Sequence, residues 1–167
     1  PFALAQKEKV NIVPKPSTIE PGSGTFEFNQ GTKIFSGDKD TQISAQILNE
    51  LLEQRYGFKL NLTSERPEGN YIEFMPPGVL AHATVPSRDE IYAMHIEPAR
   101  IRIQGFAAAR FYGIQTLLQL LPIAPDSRAK IPTMRVVDQP RFRYRGMHLD
   151  VSRHFQPVEF VRSEERR

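Results

Sequence analysis

The sequence predicts an α+β domain over residues 8–139: an antiparallel β-sheet with two α-helices packed on one face. Three observations carry this. Short apolar stretches separated by Pro, Gly and Asn recur along the chain and read as strands. Two longer segments repeat apolar residues at helical spacing. Most strands are followed by another strand rather than by a helix, which favours antiparallel pairing.

In chain order, "VNIVP" and "GTFEFN" read as short strands among Pro14, Pro16, Pro21 and Gly22, and "TKIFSG" follows a turn at Gln30-Gly31. Ile43, Ile47, Leu48, Leu51 and Leu52 make one apolar stripe of a helix that Asp40 or Thr41 can cap and Gly57 can stop. "FKLNL" is a strand, "SERPEGN" a turn, and "YIEFMP" a strand. "EIYAMHIEPARIRIQGF" alternates Ile91, Ala93 and His95 with Tyr92, Met94 and Ile96. It turns at Glu97-Pro98-Ala99 and returns through Ile101 and Ile103, as a β-hairpin does. "AAARFYGIQTLLQLLP" is the second helix, with Phe111, Ile114, Leu117, Leu118 and Leu121 as its buried stripe and Pro122 as its stop. Gly113 inside it costs about 1 kcal/mol against alanine, and a glycine there lets a helix lie close to a sheet. "IPTMRVVDQP" supplies a last strand, and Pro140 marks a boundary.

Composition excludes several functions. The 167 residues are 40% hydrophobic and 25% charged, as in a soluble globular protein. With no cysteine there is no disulfide, no thiolate zinc site and no cysteine nucleophile. The pI of 9.3 could suggest nucleic acid. However, the net charge of +3 resides wholly in residues 140–167, where seven Arg face four Asp or Glu. A neutral body lacks the basic face of a nucleic-acid binder. No apolar run is long enough to span a bilayer. Ala3-Leu4-Ala5 before Gln6 resembles the end of a secretory signal, which would make the protein periplasmic or secreted; a disordered start of no special meaning fits residues 1–7 equally.

Chemistry-bearing motifs are few. His82, His95, His148 and His154 are scattered, there is no His-Glu-x-x-His helix, and His148, His154 and Asp150 match no common metal spacing. Asp89-Glu90 reads as a turn entering a solvated strand rather than a glycosidase carboxylate pair. Ser152 and His154 stand too near Asp150 in sequence to assemble a triad, and no Gly-x-Ser-x-Gly elbow exists. Asn61-Leu62-Thr63 is a formal glycosylation sequon. Arg145 remains. In a strand "YRGMHLDV", alternation groups it with Met147, Leu149 and Val151, and a guanidinium buried on such a face needs partners. It either pairs with a carboxylate such as Asp138 or offers its donor fork to vicinal hydroxyls or a carboxylate of a ligand.

"VVDQPRFRYRGMHLDVSRHF" resembles the opening of the catalytic barrel of glycoside hydrolase family 20, the β-N-acetylhexosaminidases. "ARFYGIQTLLQLLP" resembles the helix that closes those enzymes' N-terminal domain, and "IEPARIRIQGF" the hairpin before it. The resemblance implies a zincin-like α+β domain followed, in residues 140–167, by the truncated first strand of a (β/α)8 barrel. It implies retaining hydrolysis of terminal β-linked N-acetylglucosamine or N-acetylgalactosamine, in which the substrate's acetamido oxygen attacks the anomeric carbon, with no metal and no organic cofactor. It assigns Arg145 to the hydroxyls of the terminal sugar, and Asp150, Arg153 and His154 to the support of that site. The family's catalytic Asp-Glu pair lies in a His-x-Gly-Gly-Asp-Glu context absent here, so the resemblance places no catalytic residue in this chain.

The ending "RSEERR" reads as a truncation, one strand cannot close a barrel, and the chain alone is expected to be inactive. The expected partners are the catalytic barrel of the same polypeptide and, for the whole enzyme, an amino-sugar glycan. Without the barrel, residues 140–167 are expected to be disordered, folded back or paired at an exposed edge. The alternative is a free-standing carbohydrate-binding or interaction module, which needs an exposed aromatic platform in a chain without tryptophan.

Overall fold

The computed structural model describes residues 10–82, 88–122, 128–146, 150, 153 and 155–165. Seven strands form one sheet: β1 (Thr18–Asn29), β2 (Lys33–Phe35), β3 (Asn61–Thr63), β4 (Tyr71–Met75), β5 (Tyr92–Glu97), β6 (Arg100–Gln104) and β7 (Arg128–Asp138). Their order is β1-β7-β5-β6-β4-β2-β3. Among the described residues there are three α-helices, α1 (Lys39–Tyr56), α2 (Ala107–Leu120) and α3 (Val158–Glu165). None of these helices is long and apolar enough to cross a membrane.

The sheet is mixed, which corrects the antiparallel expectation. β1–β7, β5–β7 and β5–β6 pair antiparallel, while β6–β4, β4–β2 and β2–β3 pair parallel. The hairpin at Glu97-Pro98-Ala99 obliges β5 and β6 to run antiparallel. The connection from β2 to β3 instead runs through α1, and a crossover of that length permits parallel pairing. Counting strand-to-strand connections misses this, because β4 and β6 are neighbours only after β5 has intervened in sequence.

Alternation builds the core. Ile34, Ile72, Ile101, Ile96 and Met134 stand side by side across five strands and are all buried. They join Ala45, Leu48 and Leu52 of α1 and Ala109, Ile114 and Leu117 of α2 in one apolar cluster. Both helices therefore cover the same sheet face, as expected.

Each helix is turned slightly from its apolar stripe. In α1 the inward residues are Thr41, Ser44, Ala45, Leu48, Asn49 and Leu52, whereas Ile43 is 55% exposed and Ile47 and Leu51 are half-buried. In α2, Ile114, Leu117, Leu118 and Leu121 are buried as expected, but Arg110 is fully buried beside them and its neighbour Phe111 is 40% exposed. One contact explains both rotations. Arg110 donates to Ser44 Oγ at 2.8 Å, Gly105 O at 2.8 Å, Asp40 O at 3.2 Å and Asp40 Oδ2 at 2.6 Å. Polar satisfaction of a buried guanidinium outweighs the burial of one more apolar side chain. Gly113 meets the expectation of close approach: a Cβ there would lie 2.6 Å from Ile103 Cγ2 and 3.4 Å from the Tyr92 ring.

Caps and ends refine the reading. Asp38, not Asp40 or Thr41, caps α1; its carboxylate accepts from Thr41 N at 2.9 Å, and the Thr41 hydroxyl accepts from Asp38 N. Gly57 ends α1 in the left-handed region at φ 75°. "VNIVP" is not a strand. Gln119 of α2 substitutes for a strand partner there: its side-chain carbonyl accepts from Val13 N at 2.8 Å and its amide donates to Val13 O at 2.9 Å.

Candidate functional site

A cleft of about 400 Å³ lies beside α2. Its walls are the segment Ile12–Lys15, Glu90 at the end of the 3-10 turn Arg88–Glu90, one flank of α2 and the exit segment Asp138–Phe142 with Arg145. The floor is Tyr92, which is buried on β5 and shares a 2.6 Å hydroxyl contact with Thr116 of α2. Burial pushes the Tyr92 hydroxyl up to about 12.

At the mouth, three segments far apart in sequence meet on one guanidinium. Arg145 pairs with the Glu90 carboxylate, donates to Tyr112 Oη at 3.3 Å and donates to Phe142 O at 2.7 Å. The Tyr112 hydroxyl donates to Glu90 Oε1 at 3.0 Å. The Arg145 contact, ahead of that hydroxyl, holds the Glu90 carboxyl below the usual carboxylate range, and the carboxylate in turn raises Arg145. Glu90 is thus an ionised acceptor, the wrong state for a general acid. The second carboxylate of the cleft, Asp138, accepts from Ser17 N at 3.0 Å and Ser17 Oγ at 3.1 Å.

Arg145 does have a carboxylate partner, but the partner is Glu90 and not Asp138. Nor is it buried on a strand face: no strand runs through 140–146, and its side chain is 43% exposed. A strand needs a neighbour to satisfy its ladder, and none of the seven strands offers one to this segment. Phe142 and Tyr144 are accordingly 68% and 90% exposed. Met147, Leu149, Val151 and His154 lie outside the described residues. Asp150 and Arg153 form a local pair, Nε to Oδ2 at 3.2 Å, on an exposed turn apart from the cleft. Among the described residues, no three His, Cys, Asp or Glu gather as metal ligands do.

Glu90 and Tyr112 are site residues that sequence reasoning passed over. In sequence Glu90 has the pattern of a solvated strand start, and Tyr112 is one more residue of a helix. The useful signal lies in helical geometry. Tyr112 follows Arg110 and Phe111 on a helix whose inward face is set by Arg110, so its ring turns toward the flank where Glu90 enters β5.

The family model for glycosyl hydrolase family 20, domain 2, matches residues 9–139. A β-hexosaminidase of Porphyromonas gingivalis is 32% identical over 161 residues, covering 92% of this chain and 20% of that protein. One from Vibrio furnissii is 29% identical over 156 residues, covering 92% of this chain and 23% of that protein. Among solved structures, the family 20 exo-β-N-acetylglucosaminidase of Vibrio harveyi, in complex with N-acetylglucosamine, superposes with a TM-score of 0.71 at 29% identity. It is matched over 92% of this chain and 22% of its own. The β-N-acetylhexosaminidase of Streptomyces coelicolor A3(2) superposes with a TM-score of 0.69 at 30% identity, over 90% of this chain and 31% of its own. The chain spans about a fifth of the length of the first two relatives. With its mixed sheet and helix-covered face matching these structures, the chain belongs to glycosyl hydrolase family 20, and residues 9–139 are that family's domain 2.

Proposed function

We propose that residues 8–139 are the non-catalytic domain of a β-N-acetylhexosaminidase, and that the residues after Pro140 lead into its catalytic barrel. The observation that carries this reading is the match of domain 2 across 9–139 in a chain covering only 20% and 23% of the first two hexosaminidase relatives. In the whole polypeptide the reaction is retaining cleavage of a terminal β-linked N-acetylhexosamine. The acetamido oxygen forms the bond to the anomeric carbon as the glycosidic bond breaks and a carboxylic acid protonates the leaving oxygen; water then opens the cyclic intermediate. Arg145 contributes donors to hydroxyls of the terminal sugar, and Asp150, Arg153 and His154 support that site. The domain stabilises the barrel by packing against it. The protein acts in the periplasm or outside the cell.

The chemistry of the cleft supports an inactive chain. Its two carboxylates are engaged by Arg145, Tyr112 and Ser17, and Glu90 stays ionised. The test is turnover of a chromogenic N-acetylglucosaminide by the purified 167-residue chain and by the intact native polypeptide that carries it. The expected result is no turnover by the first and turnover by the second; hydrolysis by the short chain overturns the assignment.

A further inference from the structure

A second, smaller groove of about 250 Å³ lies between α1 and the ends of β2 and β3. Ser36, Gln42, Gln46, Leu62, Thr63 and Ser64 line it. It shares no lining residue with the cleft beside α2 and takes none from the exit segment. The chain order sets its place. The crossover through α1 lets β2 and β3 run parallel, and Ser36 N donates to Thr63 O at 3.1 Å where both strands finish. Ligand crevices of sheets with parallel strands lie outside the carboxyl ends of those strands.

The lining carries no charge: three hydroxyls, two carboxamides and one leucine. Two hydroxyls are held by the chain. Ser36 Oγ lies 3.0 Å from Thr41 Oγ1 and donates to Asp38 O at 3.3 Å; Thr63 Oγ1 accepts from Glu65 N at 3.1 Å and donates to Glu65 O at 3.0 Å. The side chains of Gln42, Gln46 and Ser64 are exposed and make no hydrogen bond among the described residues. Gln42 and Gln46 stand one helical turn apart and so share a flank of α1. A carboxamide offers two donors and an acceptor, and a hydroxyl offers both. Leu62, 43% exposed, adds an apolar wall. Such a lining matches a ligand that donates and accepts at several points, has apolar C–H faces and carries no charge. An anion is disfavoured, because Asp38 and Asp40 place carboxylates at the end of α1 that would otherwise attract it.

We propose that this groove is a sugar-binding site separate from the catalytic one, which holds the body of a neutral oligosaccharide while the chain end is cleaved elsewhere in the whole polypeptide. The neutral, hydroxyl-rich chemistry rests on the groove alone; the choice of an N-acetylglucosamine chain rests on the hexosaminidase reading. The volume falls just under the roughly 300 Å³ at which small-molecule sites begin, so it takes a single sugar unit of a longer chain. With no aromatic ring in the lining, affinity comes from hydrogen bonds and is modest.

The test compares the intact polypeptide with its Gln42→Ala, Gln46→Ala double variant. Alanine favours a helix and both positions are exposed, so Tm is expected to hold. The probe is the insoluble polymer of β-linked N-acetylglucosamine, which exposes few chain ends to a catalytic pocket. The parent is expected to be retained on it at low and high salt alike, since no charge is involved. The double variant is expected to bind about 5-fold or more weakly, with KM for a chromogenic N-acetylglucosaminide unchanged. Equal retention of parent and variant, including none by either, overturns the proposal. So does retention that salt abolishes, or weaker binding accompanied by a raised KM or a lowered Tm. If the parent binds, the variant does not, and neither cleaves the chromogenic sugar, the groove stands and the hexosaminidase reading has failed.

Discussion

The two faces of the sheet are built from the same strands and differ by one residue of register. On the helix side, Ile34, Ile72, Ile101, Ile96 and Met134 form a continuous apolar row. One residue along, on the opposite face, the row reads Glu73, Arg102, His95, Arg135 and Glu20. The first row is covered by α1 and α2 and excludes water. The second binds itself through charge: Arg135 pairs with Glu20 at 3.2 Å, Arg102 with Glu97 at 2.5 Å and Arg66 with Glu73 at 2.7 Å. No helix covers this face among the described residues. It follows that the covered face should carry most of the stability and the open face little, although their residue counts are similar.

The largest expected effect is on the covered side. Arg110 is fully buried with four hydrogen bonds, so Arg110→Ala opens a cavity and strands the Gly105 carbonyl and the Ser44 hydroxyl. A loss of about 3–5 kcal/mol is expected by urea denaturation. A loss under 1 kcal/mol would erase the contrast between the faces. Next, Gly113→Ala pushes a methyl toward Ile103 and Tyr92 and is expected to cost about 1–3 kcal/mol of overpacking, against the ~1 kcal/mol that alanine gains in a helix. A net gain in Tm would show that α2 can lift off the sheet freely.

Two titrations sharpen the comparison within one strand. Tyr92 points to the covered side and its hydroxyl titrates near 12, against about 10 in the unfolded chain. Its contribution is whole below pH 10 and is lost as pH rises toward 12, and Tyr92→Phe should flatten that part of the stability profile. His95 lies on the open side, where partial burial, then Arg102 and Arg135, lower its pKa from the usual 6.5. The unfolded state then takes up the proton first, so stability is present above about pH 6.5 and declines as pH falls through the lowered folded value. His95→Gln should remove that acid-side decline, whereas an unchanged slope would mean that His95 is not held between the two arginines. The smallest effect belongs to Arg135→Ala, expected to cost under about 1 kcal/mol because both partners of its ion pair are half exposed.

Local pattern carried much of this fold. Period-two alternation in "EIYAMHI" and "RIRIQ" foretold β5 and β6, Gly57 foretold the end of α1, and the Gly113 approach was legible from one small residue amid large ones. The inward faces of α1 and α2 were less legible. An apolar stripe measures hydrophobicity alone, and the deciding residue was Arg110, whose partners Ser44 and Asp40 lie on another helix.

The candidate site shows the same division. Arg145 is visible as a charged residue in an apolar pattern, which calls for either an internal carboxylate or a ligand. Which carboxylate it meets is not visible there, since Asp138 lies seven residues away along the chain and Glu90 fifty-five. The sequence by itself determined strand parity, helix positions, the neutral body and the family resemblance, because these depend on short-range order and composition. The tertiary structure alone decided the mixed strand order, the rotation of the helices and the meeting of Glu90, Tyr112 and Arg145. Those follow from which distant segments can pair their backbone and polar groups with one another, a condition that no local window of sequence contains.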